Sequence, residues 1–573
     1  MTPDRLLQHF HRIAESPDAV PRLRRFILAL AVRGKLVEQD PKDEPASELL
    51  KRIQAEKARL VKDGGIRKGK PPTPLSADEL PFAVPLNWQW SQFAEIGFIN
   101  PRNDAKGELP ASFVPMSMIS ADFGVANRHE VRPWAEIKSG FTHFAEGDVG
   151  LAKITPCFEN GKSTVFRGLT GGIGAGTTEL HVVRPVLVDA DFLLMFLKCP
   201  HFIETGTSRM TGTAGQKRVP TEYFAYAPFP LPPLAEQRRI VAKVDELMAL
   251  CDRLEAAQKE RENRRDRLVA ASLNRLNTGA KPDAFRAHVS FHLSHLPKLL
   301  TRPDHVKQLR QTILSLAVRG RLVPQDPNDE PAAELLRQVA DTRSQLLERD
   351  YPNESEASVQ RRKQKAQVLP AGLAHLPPGW QWATLMQSSA LVIDCHNKTA
   401  PYSTTGIILL RTTNVRDGKL NLSEPKFVDE GTYSRWSARC PPEPGDILIT
   451  REAPMGEVCI IPKGMKVCLG QRMMLARLVP GTIDPQYMLT SLRDPLLMDR
   501  VQDRPVGATV QHLRVGGVEA LLVPLPPLAE QRRIVTKVDE LMSLCDRLEA
   551  QLTTAQTESR RLLDAIFHEV TAA

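Results

Sequence analysis

Two stretches of this chain are nearly identical. Residues 231–256 read LPPLAEQRRIVAKVDELMALCDRLEA and residues 525–550 read LPPLAEQRRIVTKVDELMSLCDRLEA, with changes only at Ala242/Thr536 and Ala249/Ser543. A second pair is almost as close, ILALAVRGKLVEQDPKDEPASELL at 27–50 against ILSLAVRGRLVPQDPNDEPAAELL at 313–336. A third sets Trp88-Gln89-Trp90 against Trp380-Gln381-Trp382. The offsets are 294, 286 and 292 residues, so the 573-residue chain is one unit of about 290 residues, duplicated. Between the matching pieces, residues 91–228 and 383–523 fill the same slot in each half yet share little. Drift alone would not preserve 24 of 26 residues in one helix while scrambling its neighbour. The pattern predicts flanks with a common job and inserts with different jobs of one kind.

Ile240, Val244, Leu247, Cys251 and Leu254 follow the 4-3-4-3 spacing of a coiled-coil seam. The second copy runs on through Ile534, Val538, Leu541, Cys545, Leu548 and Leu552. Proline pairs at 232–233 and 526–527 stand just ahead of each helix, where a missing amide costs nothing. Two such seams in one chain most simply pack on each other. Residues 22–60 and 307–347 read as helical with a break at the Asp-Pro turns, and 62–81 and 349–378 as linkers, the basic run 361–365 being a solvated tether. In the inserts, 144–154 and 444–451 read as a turn followed by a buried strand. Segments 178–184 and 474–479 alternate as half-buried strands do, and short helices fit 190–204 and 485–500.

Composition narrows the class. The longest apolar run, residues 26–32, is far short of the ~20 residues that cross a bilayer. No secretory leader is expected, since no basic stretch precedes an apolar core at the start. Eight cysteines without a CxxC pair predict reduced thiols and a cytoplasmic location. A net charge of +9 permits a polyanionic partner without requiring one.

The motifs of catalysis fail one by one. None of the five Pro-Pro pairs is followed by the aromatic residue that an adenine-methyltransferase loop uses. Gly161-Lys162-Ser163 lacks the first glycine of a phosphate loop, whose place Pro156 takes, and reads as a turn. Gly171–Gly176 reads as a flexible surface loop. His568-Glu569 has Ala572 where a zinc motif needs a second ligand, and His288, His292 and His295 have no acidic or thiol ligand beside them in sequence. Glu136-Ile137-Lys138 has no Pro-Asp ahead of it to complete a nuclease core. Cys251 and Cys545, on the seam, read as small core residues rather than nucleophiles.

The duplicated LPPLAEQRRIV-KVDELM-LCDRLE helix, the LAVRG-LV-QDP-DEPA-ELL segment and the two divergent inserts together resemble the specificity subunit of type I restriction–modification systems. The resemblance implies an α+β chain: two mixed α/β target-recognition domains joined by two long antiparallel coiled-coil helices, with an internal pseudo-twofold repeat. It places an N-terminal helical segment at 1–62, a linker at 63–84, the first recognition domain at 85–230 and the central helix at 231–277. A linker at 278–304, a repeated helical segment at 305–348 and a linker at 349–376 lead to the second recognition domain at 377–524 and the C-terminal helix at 525–573. It further implies a non-catalytic, cytoplasmic reader of a split, asymmetric DNA target. Its partners would be double-stranded DNA, two modification subunits and restriction subunits, with S-adenosylmethionine, ATP and Mg2+ bound on those partners. No metal or cofactor is expected on this chain. A coiled-coil scaffold with two protein-binding heads is the alternative that the modest charge leaves open. Base readout draws on Arg, Lys, Asn and Gln at groove edges. Polar loops just ahead of each shared helix make Gln216, Lys217, Arg218, Gln511, His512 and Arg514 candidates for DNA contact. Lys153, Arg209, Arg411, Asn414, Arg451 and Arg472 complete the set.

Overall fold

The computed structural model describes residues 18–63, 72, 74–213, 215–278, 282–496, 500–501 and 512–572. The chain divides into two units, residues 1–262 with 556–573, and residues 263–555. Both combine helices with sheets, an α+β fold.

In the first unit, helices α1 (Ala19–Ala31) and α2 (Ala46–Lys62) lead into a head built from ten strands. These are β1 (Gln89–Ser91), β2 (Gly97–Ile99), β3 (Pro110–Val114), β4 (Glu130–Pro133), β5 (Thr142–Ala145), β6 (Val149–Ala152), β7 (Ser163–Val165), β8 (Ile173–Gly176), β9 (Leu180–Pro185) and β10 (Phe229–Leu231). Helices α3 (Ala190–Lys198) and α4 (Pro200–Ser208) lie between β9 and β10, and α5 (Leu234–Asn277) follows. One sheet has the order β2-β9-β6-β7 and another β4-β3-β8-β5, while β1 pairs with β10 where the chain enters and leaves the head. Among the described strands of this head only β3 and β8 pair in parallel.

The second unit opens with α6 (Pro282–Leu299), α7 (Pro303–Ala317), α8 (Ala332–Glu348) and α9 (Glu354–Lys365). Its head holds β11 (Gln381–Thr384), β12 (Leu391–Asp394), β13 (Ile407–Leu410), β14 (Val415–Arg416), β15 (Lys419–Leu420), β16 (Lys426–Val428), β17 (Ile447–Thr450), β18 (Val458–Ile460), β19 (Val467–Leu469), β20 (Met473–Arg477) and β21 (Leu522–Leu525). Helix α10 (Pro485–Leu492) precedes β21, and α11 (Leu528–Ala572) follows it. The orders are β12-β20-β17-β18 and β16-β13-β19, β11 pairs with β21, and β13 and β19 run parallel. Apart from β5 and the ribbon β14-β15, the topology repeats strand for strand. Inserts that share little sequence therefore share a fold.

What fills that fold differs. The first head is packed with aromatic rings, Phe93 touching Phe196, Phe224 and Phe229 at centroid distances of 5.8, 5.4 and 5.2 Å. The second uses Leu385, Leu391, Met473, Met474 and Met488, all buried. A core needs the right volume and pattern more than particular residues, so the two could diverge while the frame stayed.

The near-identity of the flanks has a contact explanation. In the first unit the Gln237 side chain accepts from the Asp189 amide at 2.8 Å and donates to the Pro232 carbonyl at 2.9 Å. Glu236 accepts from Gln39 at 2.6 Å, and Arg239 pairs with Asp43 at 2.6 and 3.1 Å. The second unit repeats each bond. Gln531 bridges Asp484 and Pro526, Glu530 accepts from Gln325, and Arg533 pairs with Asp329. The AEQRR and QDP-DEPA segments are thus two halves of one joint, and a change in either leaves a buried polar group unpaired.

Three expectations change. The stretches 278–304 and 349–376 carry α6 and α9 rather than being bare linkers. Helix α9 is capped by the Asn353 side chain and buries Gln360, which donates to the Val392 carbonyl at 3.0 Å. Its basic run is no tether: Lys363 pairs with Glu519. A helix that buries a polar face shows no apolar periodicity, so the hydrophobic pattern gives no sign of it. Strands β9 and β20 are covered on both faces, not one. Val183 packs with the helices while Leu180 and Val182 pack toward the second sheet. The Gly171–Gly176 run is no flexible loop, since from Ile173 it is β8. A Cβ at Gly174 would fall 2.4 Å from the Phe144 ring, so glycine lets that ring lie on the strand.

Six of the seam residues are buried, and Leu247, Leu254, Leu541, Leu548 and Leu552 are half-buried. Ile240, Val244 and Cys251 pack with Val20, Ile27 and Leu28 of α1, and Ile534, Val538 and Cys545 pack with Val306, Ile313 and Leu314 of α7. Farther along, Leu562, Leu563 and Phe567 pack on Ala19 in the first unit, and Val269, Leu273 and Leu276 pack on Leu299 and Leu300 in the second.

Candidate nucleic-acid interface

The matching backbone bonds of the two heads set their strand ends in register. The Lys153 amide donates to the Glu179 carbonyl and the Val219 amide to the Lys153 carbonyl, at 2.9 and 2.8 Å. In the second head the Arg451 amide donates to the Arg472 carbonyl and the Leu513 amide to the Arg451 carbonyl, both at 2.9 Å. Lys153 therefore corresponds to Arg451, Glu179 to Arg472, and Arg218 to His512. One of these positions reverses charge, Glu179 against Arg472, while Lys153 and Arg451 are both cationic.

In the first head, Arg218 forks onto Glu179, Nε and Nη2 each 2.9 Å from the carboxylate, and this bond holds the Glu179 carboxyl below the usual range. Gln216 and Lys217 stand exposed at the tip of the loop that Arg218 closes. Arg209 is exposed at the end of α4, its guanidinium 5.5 Å from the Tyr223 ring centroid. Lys153 is half-buried at the end of β6.

In the second head two candidates are structural. Asn414 is buried, donating to the Asn421 carbonyl at 2.9 Å and accepting from the Arg411 amide at 2.9 Å. Arg451 lies 3.4 Å from Asp394 and donates to the Leu513 carbonyl, its side chain 14% exposed. Burial raises the Asp394 carboxyl pKa, which Arg451 opposes. Polar loop residues look alike in sequence whether their partners lie inside or outside the protein. Arg411 donates to the Glu424 carbonyl at 3.0 Å, while Arg472 is half exposed and pairs with Glu452. Arg514 is exposed and His512 half-buried; Gln511 lies outside the described residues. Glu179, Asp394 and Glu452, the acids that decide which cations are committed, are absent from the sequence candidates. Glu179 stands 39 residues from Arg218, with no local signal linking them.

Beneath the first loop lies a buried histidine. His181 is 2% exposed, donates from Nε2 to the Val219 carbonyl at 2.9 Å and stacks on Phe224. Burial pushes its pKa down to about 4. An unfolded histidine titrates near ~6.5, so between that pH and about 4 the unfolded state binds a proton that the folded head refuses. Stability therefore falls as the pH drops through this window, by ~3 kcal/mol in all. Denaturant melts of the chain at pH 7 and pH 4 should show that loss in the first head, and H181Q should abolish that part of it.

Among the described residues no group of three His, Cys, Asp or Glu side chains could hold a metal ion, and no helix is long and apolar enough to cross a membrane. Comparison with known proteins completes the description. The family described as "Type I restriction modification DNA specificity domain" matches residues 436–555. The EcoAI type I restriction enzyme specificity subunit of Escherichia coli is 39% identical over 556 residues, spanning 96% of this chain and 93% of that protein. The EcoEI specificity subunit, also of Escherichia coli, is 37% identical over 562 residues with the same coverage. A solved structure, from work on complex assembly and conformational transition of the type I R-M system, shares the fold. Its TM-score is 0.50 at 20% identity, covering 86% of this chain and 99% of the other.

Proposed function

This chain belongs to the specificity subunits of type I restriction enzymes, the non-catalytic subunits that recognise the DNA sequence, and from that premise we propose that its two heads each read one half of a split, asymmetric DNA target. The repeated helices pair antiparallel and set the spacer between the half-sites. The identical flanks dock two copies of a modification subunit, with restriction subunits joining them. S-adenosylmethionine, ATP and Mg2+ are then used on those partners, and the whole works in the cytoplasm. One observation carries the reading: two heads of one topology, set on joints that repeat the same Gln, Glu and Arg bonds, present different residues at equivalent strand ends. Identical joints suit identical partners; divergent heads suit an asymmetric target.

Exchanging residues 85–230 for the matching domain of a relative tests this. The hybrid is expressed with its neighbouring subunits in a methylation-free host and N6-methyladenine is mapped across the genome. One half of the methylated motif should change while the other half and the spacer persist. Change in both halves, or in neither, overturns modular reading. A blank map from the unaltered chain favours a scaffold.

A further inference from the structure

In the first head the segment 211–218 closes through an antiparallel bridge between Thr211 and Arg218, with N–O distances of 3.0 and 2.8 Å. Thr155 donates from its amide and its hydroxyl to the Lys217 carbonyl, at 3.0 and 3.1 Å. Between these anchors stand Gly212, at φ +125°, and Gly215, at φ +79°, backbone conformations that glycine takes without steric cost. Arg218 braces this turn. Its Nη1 donates to the Gln216 carbonyl at 3.0 Å, while Nε and Nη2 grip Glu179, which sits just before β9 on the rigid strand frame. The guanidinium thus ties the backbone of the tip to the sheet. We infer that the Glu179–Arg218 ion pair is a positioning clamp that aims Gln216 and Lys217 at the first half-site.

The inference rests on the first head reading DNA, and it is specific to that head. At the corresponding places the second head carries Arg472 and His512, which cannot form such a pair, and Arg472 turns to Glu452 instead. Removing the clamp should therefore blur one half of the target only. Partly exposed ion pairs contribute little to global stability, so the melting temperature should move by no more than about 2 °C.

The test uses the full complex in a methylation-free host, with E179Q, R218Q and the charge exchange E179R/R218E. Each single variant should lower base discrimination at one or more positions of the first half by about tenfold, leaving the second half unchanged. The charge exchange re-forms the ion pair, though not the bond from residue 218 to the Gln216 carbonyl, and should restore part of the discrimination, which a merely structural loss would not predict. Unaltered preference in the single variants, equal blurring of both halves, or an exchange no better than the worse single variant overturns the clamp. The 85–230 hybrid, mapped alongside, separates the two levels: a motif unmoved by that exchange sinks the reading itself, whereas a motif that moves while the clamp variants do nothing sinks only the clamp.

Discussion

Asp446→Ala is expected to remove about 3–5 kcal/mol from the stability of the second head, because it takes the buried carboxylate from a guanidinium in a nearly dry site and leaves it only the solvent-exposed Glu443 carboxylate. Arg477 donates to Asp446 through Nε at 2.8 Å and Nη2 at 2.7 Å, and also to the Pro441 carbonyl, Glu443 and the Tyr351 hydroxyl. The Asp446 side chain is 3% exposed and that of Arg477 11%. The carboxylate also accepts the Glu443 amide at 2.7 Å, so the turn into β17 loses its brace in the same step. A denaturant titration of the chain should show the second head unfolding early, and cells carrying the variant complex should lose methylation. The first head has the same pair in Asp148 and Arg184, but Arg184 is 24% exposed. Water can reach the orphaned cation there, and Asp148→Ala should cost only about 1–3 kcal/mol. Asp446→Leu with Arg477→Met, which removes both charges, should recover most of the second head's loss. If it recovers nothing, the pair contributes more than compensation of two buried charges.

Phe93→Ala should be as damaging in the first head. The ring is 1% exposed and meets Phe196, Phe202, Phe224 and Phe229, all of which are buried. Emptying that position should cost about 3–5 kcal/mol, since the four remaining rings on one frame cannot collapse into the gap. The register of the flanks places Leu385 at this position in the second head, within an aliphatic core. Phe93→Leu alone should still cost about 1–3 kcal/mol, because the neighbours remain shaped for a ring. Thermal unfolding of both variants gives the comparison. An unchanged first-head transition in Phe93→Ala would mean that the aromatic cluster is not what holds the head together.

The candidate residues could be named from the chain, but their surroundings could be read only unevenly. The loop ending at Arg218 was visible as glycines followed by Gln216 and Lys217 just ahead of the repeated helix, and the structure puts both side chains in solvent. Asn414 and Arg451 looked equivalent to them and are instead held by Asn421, Asp394 and Leu513. A local pattern reports that a residue is polar and in a loop. It does not report whether a partner from a distant segment has already taken its hydrogen bonds.

The sequence by itself determined the duplication, the long helices with their seam and the family, because each rests on identity or periodicity within a short stretch. Only the tertiary structure decided that the two inserts are one fold, that the stretch carrying α9 is a packed helix rather than a tether, and which cations are committed to internal acids. Strand order depends on pairing between segments far apart in the chain, such as β2 with β9 or β12 with β20. A sheet's hydrogen bonds run between backbones and leave little mark on residue identity. Aromatic rings in one head and aliphatic chains in the other can therefore fill the same frame.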